Sequence, residues 1–218
     1  MKHYLTCLFC FASMLLFAQK TYQFDYYVSY NSEILRNGKM EKSENYYLVN
    51  SKNPDVSAKI IKGKRVKTGL VILDYKNEAL HYFKLKKESF PFKNEDFAYV
   101  KSEKLPNVKK QFEDEFKNRM IKVVSTENQG DVFKYEIEEN NETKTGLYQS
   151  KALVFFKSYE DNLAFIGLGK LFDFYNVGKK IPLPENMILT SGTIEFEDSK
   201  NLLELKEVER LEINLNIK

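Results

Sequence analysis

Few side chains in this sequence can carry reaction chemistry. Once residues 1–18 are set aside, for reasons given below, the chain has no cysteine and one histidine, His81. His81 stands between Leu80 and Tyr82 in a run that reads as a strand. As a general base it would need a nucleophile and an orienting acid brought to it by the fold, and its sequence neighbours supply neither. It therefore reads as a structural histidine. Carboxylates are plentiful, as in Glu113-Asp114-Glu115 and at Glu136, Glu138 and Glu139. A retaining glycosidase places two carboxyls about 5 Å apart across a cleft, a relation that spacing along a chain does not reveal. Acidic runs at hairpins are ordinarily solvated faces, so no catalytic residue is assigned. With no Cys/His set and no calcium-type loop, no metal site and no cofactor are predicted.

Five basic residues, Lys59, Lys62, Lys64, Arg65 and Lys67, surround Gly63. They would suit phosphate or an acidic glycan, and equally the solvated tip of a hairpin. Neither Gly63-Lys64 nor Gly167-Leu168-Gly169-Lys170 has the spacing of a phosphate-binding loop. Asn141-Glu142-Thr143 fits the glycan acceptor pattern, which is common by chance and has no bearing if the source is bacterial.

The start of the chain sets its address. Lys2 and His3 precede an apolar run from Leu5 to Phe17 that closes on Ala18-Gln19. A basic start, a short apolar stretch and a small residue at the cut form a secretory signal. The run of roughly 13 residues is too short for a membrane helix, which needs about 20. We read 1–18 as a cleaved signal peptide and 19–218 as one domain, against the competing reading of an uncleaved anchor. Leu16 is an imperfect residue for the site. Cys7 and Cys10 lie too early, after Thr6 and Phe9, to be lipid-anchored. Cleavage removes Lys2 and no acid, so the net charge of +3 falls by one. Near balance argues against a nucleic-acid binder. An exported chain without disulfides relies on its core and hydrogen bonds, so the expected location is periplasmic or secreted, with no transmembrane segment left after cleavage.

These side chains must be positioned mainly by strands. Tyr22, Phe24, Tyr26, Val28 and Tyr30 alternate, which predicts five residues on one strand face. Asn45–Val49, Val56–Ile61, Val66–Tyr75 and Leu80–Leu85 are further strands, separated by Asn50-Ser-Lys-Asn-Pro-Asp55, Gly63-Lys64 and Lys76-Asn77-Glu78. After Pro106, Val108, Phe112, Phe116 and Met120 recur every four residues, the stripe of a helix; a loop entering a strand at Met120 competes. Met120–Ser125, Val132–Ile137, Gly146–Gln149 and Ala152–Ser158 read as strands, with turns at Gly130-Asp131 and Asn140-Asn141. Met187–Phe196 and Leu202–Ile217 complete the set, although Glu204–Arg210 would also fit a helical turn. The predicted class is mainly β (α+β): a curved antiparallel sheet or open half-barrel of about nine to eleven strands, with one or two helices packed on it.

Asn162–Val177 leaves almost no polar face, so as a helix it is buried, lines an apolar cavity or meets a membrane. Gly167 and Gly169 weaken it by about 1 kcal/mol each. Beside the aromatic strand it would either fill a core or border an apolar groove. The expected groove residues are Tyr22, Phe24, Tyr26, Tyr30, Phe165 and Phe172, since tyrosine offers an apolar ring with a polar end.

Tyr22-Gln-Phe-Asp-Tyr-Tyr-Val-Ser-Tyr30 after Ala18-Gln19, Tyr47-Leu-Val-Asn-Ser-Lys52 and Leu183-Pro-Glu-Asn-Met187 resemble exported proteins of the Bacteroidota. The run of strands behind a signal peptide is similar in layout to periplasmic lipoprotein carriers. That resemblance implies an open antiparallel half-barrel closed by helices, and maps no functional residue onto this chain. The expected function is a non-enzymatic binding protein of the bacterial envelope that holds an apolar or acyl-chain ligand or a partner protein. An envelope glycan hydrolase using paired carboxylates and a purely structural interaction protein are the alternatives.

Overall fold

The computed structural model describes residues 20–62, 68–143, 146–172 and 175–217, with backbone alone at 141–143, 146–148 and 175–177. The predicted signal peptide with Cys7 and Cys10, and Lys64, Arg65 and Lys67 of the basic cluster, lie outside the described residues. So do the side chains of the glycan acceptor pattern.

Eleven strands form one antiparallel sheet: β1 (Thr21–Arg36), β2 (Lys39–Val49), β3 (Val56–Ile61), β4 (Gly69–Asp74), β5 (Ala79–Leu85), β6 (Phe97–Lys104), β7 (Arg119–Gln129), β8 (Val132–Thr143), β9 (Gly146–Ser158), β10 (Met187–Glu195) and β11 (Ser199–Asn216). Their order is β6-β5-β4-β3-β2-β1-β11-β10-β9-β8-β7. Two meanders therefore meet where β1 pairs with β11, and the sheet is open, with β6 and β7 at its edges. The predicted class stands: an open antiparallel sheet with two helices on it.

The connection between the edges requires curvature. Laid flat, eleven strands about 4.8 Å apart would set β6 and β7 about 48 Å from each other. They are joined by residues 105–118, most of which form helix α1 (Val108–Asn118). Eleven helical residues span about 16 Å, and the few extended ones add about 3.5 Å each. The linker reaches only if the sheet curls. Helix α1 bridges its two halves: the Phe112 ring meets Tyr75, of the β4–β5 turn, at 4.9 Å, while Phe116 packs toward the other half.

The β1–β2 hairpin closes at Asn37-Gly38, where both residues have positive φ (50° and 71°). That is the backbone of a two-residue hairpin turn of the primed kind, which asparagine and glycine tolerate. It carries both strands far beyond the aromatic run. β6 has few apolar residues to betray it: after Phe97-Ala-Tyr-Val it continues as Lys101-Ser-Glu-Lys104, the charged sequence of an edge that resists further pairing. Asn140-Asn141 lie inside β8 rather than in a turn. Gly146–Ser158 is one strand, and Glu204–Arg210 is part of β11.

The alternating aromatics of β1 do not share one core. Opposite Asp25 the pairing with β11 slips, from Phe24↔Ile213 to Tyr26↔Arg210, and slips again between Ser29 and Tyr30. Each slip places one extra residue on β11, a bulge that bends and twists the pair. Tyr26, Val28 and Tyr30 enter a cluster with Val154, Phe156 and helix α2 (Ala164–Leu171). Tyr22 and Phe24 join Tyr27, Leu48, Ile72 and Phe83 in a second cluster. The Asp25 carboxylate holds the switch point, accepting hydrogen bonds from Ser51 N at 2.9 Å and Ser51 Oγ at 2.5 Å. The β5–β6 loop covers the second cluster by stacking Phe90 on Tyr27 at 4.6 Å, with Phe92 edge-on at 5.9 Å.

Candidate functional site

Five neighbouring strands, β9, β10, β11, β1 and β2, build one cavity. Cross-strand pairing aligns Phe155, Ser191, Glu204, Asn31 and Glu44 in one row from β9 to β2. Leu153, Thr193, Leu202, Glu33 and Lys42 form the parallel row two residues along. Between them runs Val154, Gly192, Leu203, Ser32 and Ser43. This middle row faces α2: a Cβ on Gly192 would stand 2.7 Å from Leu171 Cδ2 and 3.0 Å from Val154 Cγ1. Since successive strand residues point to opposite faces, the two flanking rows look away from α2. There all of them except Leu153, together with Gly192, Leu203, Ser32 and Ser43, line a trough of about 700 Å³, within the range of small-molecule sites.

Phe155 and Leu202 give the trough an apolar floor, and Asn31, Ser191 and Thr193 add hydrogen-bonding groups. Glu33 pairs with Lys42 at 2.5 Å and Glu44 with Lys206 at 2.8 Å. The hydrogen bond from Lys206, joined by one from Tyr46, holds the Glu44 carboxyl below its usual range. Glu204 has no ion-pair partner among the described residues. Beyond the trough, Leu35 and Met40 face each other near the hairpin tip, 37% and 53% exposed.

A second constellation surrounds His81. Asp74, 1% exposed, accepts hydrogen bonds from Lys20 Nζ, Tyr22 Oη at 2.7 Å and Asn77 N at 3.0 Å. Tyr22 Oη also lies 2.8 Å from His81 Nε2, and His81 Nδ1 lies 2.6 Å from Ser102 Oγ. Burial pushes the Asp74 carboxyl up, but the bonds from Lys20, Tyr22 and Asn77 outweigh it and hold it at about 2. Burial lowers the His81 pKa. These states fix the protons. Tyr22 gives its single proton to the Asp74 anion, so His81 must donate Nε2–H to Tyr22, and its bare Nδ1 accepts from Ser102. His81 thus has a hydroxyl and an acid in reach, which its sequence neighbours did not reveal. Neither His81 nor Ser102 borders any of the cavities described. The chain ties β1 to β4, β5 and β6, and satisfies groups that would be costly to bury unpaired.

A hollow of about 540 Å³ lies beside this chain, bordered by Tyr22, Asp74 and Asn77. A smaller cavity of about 220 Å³ is bordered by Ala164, Phe165, Ile181, Leu183 and the Ser51–Pro54 loop. Of the six residues expected to line a groove, Tyr22 borders the polar hollow and Phe165 the small cavity. Phe24, Tyr26, Tyr30 and Phe172 are buried in the two clusters and border none of these cavities. Tyr26 turns its hydroxyl to Glu160 (2.9 Å) and Asp161 (2.6 Å), and Tyr30 to the Leu189 carbonyl (3.2 Å). The trough residues gave no sequence signal, because Phe155 and Glu204 become neighbours only through strand register. Among the described residues, no group of three or more His, Cys, Asp or Glu is placed to hold a metal ion. Nor is any helix among them long and apolar enough to cross a membrane.

No protein-family model and no curated protein matches the chain. Solved structures similar to it include a LolA superfamily protein from Nitrosomonas europaea, 10% identical over 85% of each chain with a TM-score of 0.31. Another is a DUF1329 family protein from Desulfovibrio piger, 11% identical over 91% of this chain and 89% of that one, TM-score 0.27. At these scores the likeness bears on no individual residue, and neither structure bears on the resemblance to Bacteroidota proteins.

Proposed function

We propose that this is a non-enzymatic binding protein of the bacterial envelope, periplasmic or secreted, that holds a small amphipathic molecule along the trough from β9 to β2. The observation that carries the reading is one open cavity in which Phe155 and Leu202 lie among polar and charged side chains. Apolar area there favours burial of a ligand's apolar part at about 25 cal/mol per Å², and the polar groups orient the remainder. The signal-like residues 1–18 support the location.

An uncharged fluorescent probe, N-phenyl-1-naphthylamine, tests this directly. The protein should enhance its emission, and Phe155→Ala should weaken binding severalfold without lowering the melting temperature appreciably. Absence of binding, or binding indifferent to Phe155→Ala, overturns the trough. A second reading, an acyl-type chain beside Phe165, is favoured by the apolar Ala164, Phe165, Ile181 and Leu183 around the smaller cavity. It predicts the loss with Phe165→Ala instead.

A further inference from the structure

We infer that the trough selects a positively charged amphiphile, its cationic group resting against Glu204 and its apolar part on Phe155. This rests on the trough being the binding site, and adds the class of ligand.

The charges on this face decide the sign. Lys42, the lysine that lines the trough, is committed to Glu33; at its margin Lys206 is committed to Glu44 and Lys62 lies over the Tyr46 ring, and one row farther Lys200 pairs with Glu195 at 2.6 Å. Glu204, exposed at the centre of the row, is the carboxylate left over. An anionic head would meet this excess negative charge and would have to compete for a lysine; a cation meets an available carboxylate. Exposed ion pairs are individually weak. The effect is therefore one of selection among ligands that share the apolar contact, and it will be screened by salt.

The spacing supports the same assignment. Phe155 and Glu204 occupy one row, with Ser191 between them on β10. Two strand spacings put their backbones about 10 Å apart, the reach of a short apolar chain with a terminal charged group. Asn31 and Glu44 continue the row beyond Glu204, so a head group bearing hydrogen-bond donors finds acceptors on its far side.

Calorimetric titration of the full chain with three twelve-carbon amphiphiles, each below its micelle concentration, separates tail from charge. Dodecyltrimethylammonium, dodecyl maltoside and dodecyl sulfate share the tail and differ in head. Circular dichroism at each end point verifies that the protein stays folded. The cation should bind about fivefold tighter than the uncharged compound, with the anion weakest. Glu204→Gln should bring the cation to the level of the uncharged compound and leave the latter unchanged. If uncharged and anionic compounds bind as tightly as the cation, or Glu204→Gln changes nothing, the charge assignment is overturned while the trough stands. If none binds, trough and assignment both fall.

Discussion

Gly167 on α2 lies against Tyr30 on β1 so closely that a Cβ at position 167 would stand 2.8 Å from the Tyr30 hydroxyl and 2.6 Å from Leu189 Cδ2. A glycine that weakens its helix by about 1 kcal/mol is what lets the helix touch the sheet. Gly167→Ala gains that propensity but forces apart a packed contact, a change that typically costs about 1–3 kcal/mol. Denaturant unfolding should show net destabilisation. A more stable Gly167→Ala protein would contradict the packing described.

Phe165 lies in the first turn of α2 and Phe172 caps its C-terminal end, yet their surroundings differ. Phe172 is 3% exposed within the first cluster, whereas Phe165 is half-buried at the small cavity. Phe172→Ala should cost about 3–5 kcal/mol through lost burial and a cavity, and Phe165→Ala less than half of that. Paired thermal melts read the difference, and equal losses would be inconsistent with it.

The His81 chain makes stability fall in acid. Burial keeps the folded histidine neutral below pH 6.5, where the unfolded chain takes up a proton, so stability declines as pH drops past about 6.5. Asp74 contributes in the same direction at lower pH: its carboxylate is held at about 2, so its contribution is full above about 4 and lost between about 4 and 2. Unfolding free energies at pH 7.5, 5.5 and 3 should decrease in order. His81→Gln should flatten the first interval. A wild-type protein equally stable at pH 7.5 and 5.5 would refute the assignment.

Much of the scaffold was legible in the sequence because strands and helices advertise themselves by period. Val56–Ile61 was bounded by Asn50–Asp55 on one side, and the four-residue apolar stripe after Pro106 is helix α1 as far as Phe116, with Met120 already in β7. The Asn37-Gly38 turn is also a local signal, but the aromatic run ending at Tyr30 obscured the long polar remainder of β1. The bulges opposite Asp25 and Ser29 have no local signature, and they are what divides the aromatics between two clusters. Glu204, Asn31 and Phe155 are assembled by register alone, as are Tyr22, Asp74 and Ser102 around His81.

The proposed cleavage of a signal peptide can be tested separately from the fold. Intact-mass analysis of the protein from its native host should find a chain lacking residues 1–18. Recovery of the chain from Met1 in the membrane fraction would show an anchor instead.

The most direct test of the trough is nuclear magnetic resonance of the isotope-labelled protein titrated with N-phenyl-1-naphthylamine. Saturable shifts are expected at Phe155, Thr193, Leu202 and Asn31, four residues on four strands that share only the face turned away from α2. Shifts confined to Ala164, Phe165 and Leu183, or no saturable shifts at all, would contradict the trough.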